Sequence, residues 1–194
     1  MVSIILVTGF RPYSVFKRNP SGEIAELLDG SYFRGNEVVG ISLEFKHSYL
    51  RKQYMQQIKK GYDIIINTCL SPGRNAIAIE RMALNWQNDT IDEEGIAPKE
   101  GKIVEDGPDC LPSRIPVGEI VQTLRSSKIP SEISPTGGTF ICNKVLYYSL
   151  YFTKSKAGLI HFPLDTEGSL NGRYPTMNID LMIRSVEIAI QKTI

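Results

Sequence analysis

Cysteine is scarce in this chain. There are three, at positions 69, 110 and 142, and their odd number and wide spacing predict neither a disulfide framework nor a zinc site. Histidine is scarcer, with His47 and His161 alone, so any imidazole chemistry has two candidates. An excess of one charge is also lacking. Lys plus Arg number 22 against 21 for Asp plus Glu, a net charge of +1, which predicts no nucleic-acid partner and no electrostatic attachment to a membrane. No apolar run approaches the length of a membrane span. The opening MVSIILVTGF has no basic leader and turns polar too early for a signal peptide. Internal repeats and low-complexity tracts are missing too. These absences together predict a soluble intracellular protein.

What is present fits one domain over residues 1–194. A chain of this length buries roughly 70% of its unfolded surface, enough to need no disulfide or metal. IILVTGF, residues 4–10, has the pattern of a buried strand ending in a glycine turn. NPSGEIAELLDG follows as a helix, with Asn19 as cap, Pro20 in the first turn, Ile24, Leu27 and Leu28 on one face, and Gly30 as stop. EVVGISLEF predicts a strand, and HSYLRKQYMQQIKKG a helix with Leu50, Tyr54 and Ile58 inward. YDIIINTCL is too continuously apolar for a one-sided sheet. NAIAIERMALN is ambiguous between helix and strand, and Asp89 to Gly107 is expected as an exposed loop or hairpin. VGEIVQTLRSSK, a run from about Phe140 to Phe152, and TMNIDLMIRSVEIAIQK are expected helices. In the last, Ile179, Met182, Ile183, Val186 and Ile190 share a face. KAGLIHFPLD supplies a further strand. This alternation predicts a single-domain α/β/α sandwich with a largely parallel, mixed central sheet. Sites in such folds gather at the carboxyl ends of strands.

That rule singles out Cys142. Free cysteines usually pack as small hydrophobes. Here, with Thr139 as N-cap, Cys142 falls in the first turn of a helix, where unpaired N–H groups and the helix dipole favour a thiolate and a developing oxyanion. A thiolate nucleophile needs a base. His161 ends the strand AGLIH and is read either as a histidine closing a strand or as that base. His47, at a helix start, is read as a packing or surface residue. A third group would hold the imidazole in the correct tautomer. Glu80 is the candidate, because a carboxylate closing an apolar run is costly unless paired; the alternative is a salt bridge to Arg81 or Arg74. Asp165 is the second choice, in a turn that looks solvated.

LVTGFRPY with NPS, PGRNAIAIERMALN, GGTFICNKVLYYSLY and AGLIHFP, in this order and spacing, strongly resemble the pyroglutamyl peptidase type I family of cysteine peptidases. The resemblance implies an α/β/α fold, no cofactor, a cytosolic location, often a homotetramer, and removal of N-terminal 5-oxoproline from peptides. Carried over by motif, it implies Glu80, Cys142 and His161 as the catalytic triad, with Phe10 and Tyr13 at the pyroglutamyl ring. The chain departs from the family pattern at Arg11, where an acid is usual, and at the residues YSV after Pro12. Lys144 replaces the histidine of CNH, and Thr90 stands near the position of a family arginine. Arg74, in PGR, is the expected substitute as a cation near the oxyanion.

The expected reaction is acyl transfer from a pyroglutamyl peptide to Cys142, followed by hydrolysis. The expected assembly is a homo-oligomer, a tetramer or dimer, with no metal. Two other readings compete: a weak or inactive relative that binds pyroglutamyl ligands, and a different hydrolase or a phosphorylase on a similar sandwich. The last lacks a glycine-rich phosphate cradle.

Overall fold

The structure is a computed structural model and describes residues 3–194; Met1 and Val2, the start of the segment weighed as a leader and of the expected domain, lie outside the described residues. β1 (Ile4–Phe10) is buried from Ile5 onward. It pairs in parallel with β3 (Asn36–Leu43) and β4 (Ile64–Leu70), and β4 pairs in parallel with β8 (Lys156–Phe162). β8 then meets β5 (Ile77–Leu84) antiparallel. The eight-stranded sheet runs β2 (Tyr32–Phe33), β3, β1, β4, β8, β5, β6 (Cys110–Pro112), with β7 (Ser131–Thr136) on β5. β2 and β6 are short antiparallel edges, and β7 runs parallel to β5. A separate ladder joins β9 (Leu164–Asp165) to β10 (Thr176–Met177). The mixed, largely parallel sheet is the expected one, and it resolves NAIAIERMALN as strand.

Each face of the sheet has its own apolar layer. α1 (Pro20–Leu28), α4 (Val117–Ser126) and α6 (Ile179–Thr193) cover one face, through Ile24, Leu28, Ile120, Leu124, Met182, Val186 and Ile190. Residues 47–58 and α5 (Ile141–Phe152) cover the other. In residues 47–58, α2 (His47–Tyr49) and α3 (Met55–Ile58) flank a π-helical turn, Leu50–Tyr54. Their i, i+4 spacing turns Leu50, Tyr54 and Ile58 inward, none more than 1% exposed. α5 is buried nearly all round, which explains its apolar sequence.

Leu27 is a correction. It was expected on the inner face of α1 but is 65% exposed, and Ala25 is buried instead. Asn19 caps α1 as expected, its side chain accepting from the Ser21 N–H at 3.1 Å. α1 lies so close to β1 that a Cβ at Gly9 would collide with the Ser21 carbonyl. A buried polar network ties the site-bearing face together. The Tyr54 hydroxyl contacts Asn67 Oδ1 at 2.7 Å and Ser149 Oγ at 2.6 Å, and Thr8 Oγ1 donates to Asn67 at 2.8 Å.

Candidate active site

Strand register assembles the site. In the parallel ladder of β4 and β8, Cys69 lies opposite His161; in the antiparallel ladder of β8 and β5, His161 lies opposite Ala78. Glu80, two residues past Ala78 on the same face of β5, then reaches the imidazole. His161 Nδ1–H donates to Glu80 Oε1 at 2.7 Å. Glu80 is fully buried and His161 is 6% exposed, so the contact is shielded from competing water. The alternative partner of Glu80, Arg74, also approaches: its NH2 is 3.6 Å from Oε1. Glu80 Oε2 has no hydrogen-bond partner among the described residues.

Cys142 enters from the opposite layer. Glycines 137 and 138 lead into α5, and Gly138 takes a φ of 81°, a left-handed conformation that side chains resist. Asn143 locks the first turn: its Oδ1 accepts from the Leu84 N–H at 2.8 Å, and its Nδ2 donates to the Leu84 carbonyl at 2.8 Å. The helix thereby delivers Cys142, 7% exposed, to the carboxyl edge of β4 and β8. The expected Thr139 cap is a correction. Phe140 occupies the cap position and no side chain bonds to the helix start. Among the described residues the N–H groups of Ile141, Cys142 and Asn143 therefore have no protein acceptor. Such free donors at a helix start suit a developing negative charge better than capped ones do.

Cys142 is joined to Cys69, 73 residues away in the chain, by a disulfide. This corrects the reading of three cysteines too widely spaced to pair. Sequence distance is not spatial distance once β4 and α5 pack together. The two sulfurs and a ring nitrogen of His161 lie within 4.8 Å of one another. With Nδ1 engaged by Glu80, Nε2 is the nitrogen left for sulfur. With both sulfurs in the disulfide, neither offers a thiolate to a metal. Cys110 is an exposed free thiol on β6.

Phe10 and Tyr13 belong to an aromatic group reaching the start of α5. Phe10 packs edge-on against Phe45 at 5.2 Å, Tyr13 stacks on Phe45 at 3.8 Å, and Phe45 meets Phe140 at 5.2 Å. Burial, with Glu93 adding to it, pushes the Tyr13 hydroxyl up to about 12, so it stays protonated. It donates to the Leu70 carbonyl at 3.4 Å.

Arg74 is not a free cation at the sulfur. Its NH1 binds Glu132 at 2.6 Å and its NH2 lies 3.5 Å from Ser134 Oγ. Together with the Glu80 contact, this ties the guanidinium to two carboxylates and a hydroxyl. Asp165 does not approach His161; it pairs with Arg18 at 3.1 Å and is 3% exposed, so the turn is not solvated there. Arg11 pairs with Glu44 at the surface. Thr90 is exposed, and its carbonyl lies 3.3 Å from His47 Nε2.

His47 and Lys144 form a polar pair that the sequence reading missed. His47 is a packing residue, as expected, but its Nδ1 accepts from Lys144 Nζ at 3.0 Å. Burial and the lysine charge lower the pKa of His47, while the Thr90 carbonyl and Asp92 oppose them. Burial lowers Lys144 to about 8, with Asp92 opposing and Arg51 assisting. No local signal marks either partner, because they are 97 residues apart.

A buried carboxylate, an imidazole and a cysteine at an uncapped helix start are the parts of a thiol-dependent hydrolase. The pyroglutamyl peptidase family profile matches residues 3–194. A pyrrolidone-carboxylate peptidase of Lactobacillus helveticus is 34% identical over 196 residues, covering 96% of each chain. Among solved structures, the pyrrolidone carboxyl peptidase of Thermococcus litoralis superposes with a TM-score of 0.91 at 32% identity, covering 99% of this chain and 93% of that one. That of Thermus thermophilus gives 0.92 at 28% identity, covering 97% and 99%. The chain belongs to the pyroglutamyl peptidase family.

Proposed function

We infer that this chain, acting as one catalytic domain, removes an N-terminal pyroglutamyl residue from peptides. The reading rests on one observation above the rest: in a chain of this family, Glu80, His161 and Cys142 converge from three elements at one sheet edge. In the reduced enzyme, the Cys142 thiolate attacks the carbonyl joining 5-oxoproline to the next residue. His161 Nε2 takes the thiol proton and returns it to the departing amine. Glu80 holds Nδ1–H and stabilises the imidazolium. The N–H groups of Ile141, Cys142 and Asn143 receive the oxyanion. Water activated by His161 then releases pyroglutamate.

Tyr13 and Phe140, backed through Phe45 by the fully buried Phe10, form the apolar wall for the flat, uncharged lactam. The oriented carboxylate and the free helix-start donors support a turning-over enzyme rather than a weak binder of pyroglutamyl ligands. Arg74 acts through Glu80 and not on the substrate. The protein works in the cytoplasm as a homo-oligomer, a tetramer or dimer; among the described residues no helix is long and apolar enough to cross a membrane.

The test is a pair of reporter amides, pyroglutamyl and prolyl, offered to the fully reduced protein. Pyroglutamyl turnover with prolyl rejection is expected, because proline would leave the polar groups that read the lactam amide unpaired. Equal turnover of both, or of neither, would refute the assignment.

A further inference from the structure

We propose that Cys69 is a resolving thiol for Cys142, and that oxidation by a hydroperoxide locks the nucleophile into a reversible intramolecular disulfide. The inference rests on Cys142 being the nucleophile. It goes beyond that reading because Cys69 has no part in peptide hydrolysis. The structure joins the two residues, with Cα atoms 6.1 Å apart, inside the span that disulfides adopt. The bond therefore needs no movement of β4 or α5. A bond that occupies the nucleophile cannot serve acyl transfer, so its value lies in what it does to Cys142.

Burial sets the direction of the chemistry. Cys69 is fully enclosed, and Cys142 keeps 7% of its surface, so an oxidant from solvent meets Cys142 first. The helix start favours its thiolate, the form that reacts with peroxides. The Cys142 thiolate attacks the O–O bond of hydrogen peroxide. Sulfur is oxidised to the sulfenic acid, the peroxide is reduced, and the departing hydroxide takes back the proton that His161 removed from the Cys142 thiol and leaves as water, so that His161 is neutral again. A ring nitrogen of His161 lies within 4.8 Å of both sulfurs and takes the proton of the Cys69 thiol. The Cys69 thiolate then attacks the Cys142 sulfur. The S–S bond forms, and the hydroxide lost from the sulfenic acid recovers that proton to leave as a second water. Reversal uses an external dithiol. Its thiolate attacks the accessible Cys142 sulfur and frees Cys69; its second thiol then frees Cys142 and carries away the oxidised dithiol.

Without a resolving thiol, a sulfenic acid proceeds under further peroxide to sulfinic and sulfonic acids, which common thiols do not reduce. Cys69 would thus convert irreversible loss of the nucleophile into a recoverable pause. Cys110, exposed and unpaired, is the internal contrast: it has thiol chemistry available but no partner.

The experiment uses the full chain carrying Cys110→Ser, so that no crosslink between molecules confuses the mass. Trypsin separates the two cysteines into peptides 61–74 and 129–144. After hydrogen peroxide, reporter hydrolysis should fall to background, the intact mass should drop by two hydrogens, and the two peptides should appear crosslinked. Dithiothreitol should restore activity and mass fully. With Cys69→Ala added, the same exposure should instead add oxygens to peptide 129–144, and dithiothreitol should leave most of the activity lost. Oxygen addition at Cys142 without a crosslink in the Cys69-containing protein would overturn the proposal, as would equal recovery of both proteins. Should Cys69→Ala not fold, Cys69→Ser takes its place, and the crosslink in the protein that retains Cys69 decides by itself. The mass readings do not depend on turnover, so a reduced protein that never hydrolyses the amide would fail the functional assignment while still testing the disulfide.

Discussion

Glu80→Gln isolates charge and tautomer from size. Glu80 is fully buried, its Oε1 accepts from His161 Nδ1–H at 2.7 Å, and its Oε2 meets no donor or acceptor. A glutamine amide can sit there in two ways. With its oxygen toward Nδ1 it keeps the hydrogen bond but strands its NH2 where no acceptor lies, an unpaired buried donor costing roughly 1–3 kcal/mol. With its NH2 toward Nδ1 it donates to the ring and leaves its oxygen at the Oε2 position, where an unpaired buried carbonyl is tolerated better than an unpaired N–H. The second seating is favoured, and it forces the proton onto Nε2, so that His161 can no longer accept from Cys142. Both seatings also remove the negative charge that stabilises an imidazolium. The loss in kcat should be on the order of 10²- to 10⁴-fold, about 3–5 kcal/mol, by comparison with the same change in a serine triad. The assay is pyroglutamyl-amide turnover by reduced protein, beside a thermal melt and nitrogen NMR of His161. The melt should change little and the NMR should show the proton moved from Nδ1 to Nε2. Asp165→Asn, which disturbs only the Arg18 pair, should leave kcat near that of the unmodified protein. A large loss from Asp165→Asn with none from Glu80→Gln would refute the reasoning.

Three further outcomes follow from the same geometry. Lys144 has a folded value of about 8 against an ordinary 10.5, so between those values the unfolded chain holds the extra proton and stability should rise with pH. Below pH 8 the buried charge costs at most about 3 kcal/mol, and Lys144→Met should raise the neutral-pH denaturation midpoint; an unchanged or lower midpoint would contradict this. Tyr54→Phe removes a hydroxyl placed 2.7 Å from Asn67 and 2.6 Å from Ser149, and should cost roughly 1–2 kcal/mol in urea unfolding with little change in denaturant slope. Arg74→Ala strips a partly exposed pair from Glu80, worth up to about 1 kcal/mol, so kcat should fall no more than about fivefold with KM unchanged; a far larger fall would return Arg74 to the oxyanion.

Local pattern carried much of this architecture into view. β1 and β4 are runs of buried aliphatics, α1 opens on Asn19 and Pro20, and Leu50, Tyr54 and Ile58 repeat at a helical interval, so each element declares itself within a few residues. Glu80, Cys142 and His161 stood out as candidates for a related reason, each marking an apolar segment near the end where α/β folds place chemistry, and the fold brings the three together. What escaped depends on contacts between distant parts of the chain. β7 reads SEISPT, polar and proline-bearing, and becomes a strand only because β5 lies beside it. Thr139 has the residue type of a cap but lies one position too early, and Phe140 takes the place because it packs on Phe45. The pairing of Cys69 with Cys142 needs the parallel register of β4 and β8 and the descent of α5 onto them. Lys144 beside His47, and Arg18 beside Asp165, likewise join residues that no window of sequence contains together.

The most direct measurement of the central claim is capture of the acyl-enzyme. Fully reduced protein is mixed with excess pyroglutamyl reporter amide, quenched in acid within the first turnover, and mapped by mass. The account predicts a pyroglutamyl thioester on peptide 129–144, at Cys142, and none on the peptides bearing Cys69 or Cys110. Turnover with the acyl group on another residue, or turnover that persists in Cys142→Ala, would contradict it.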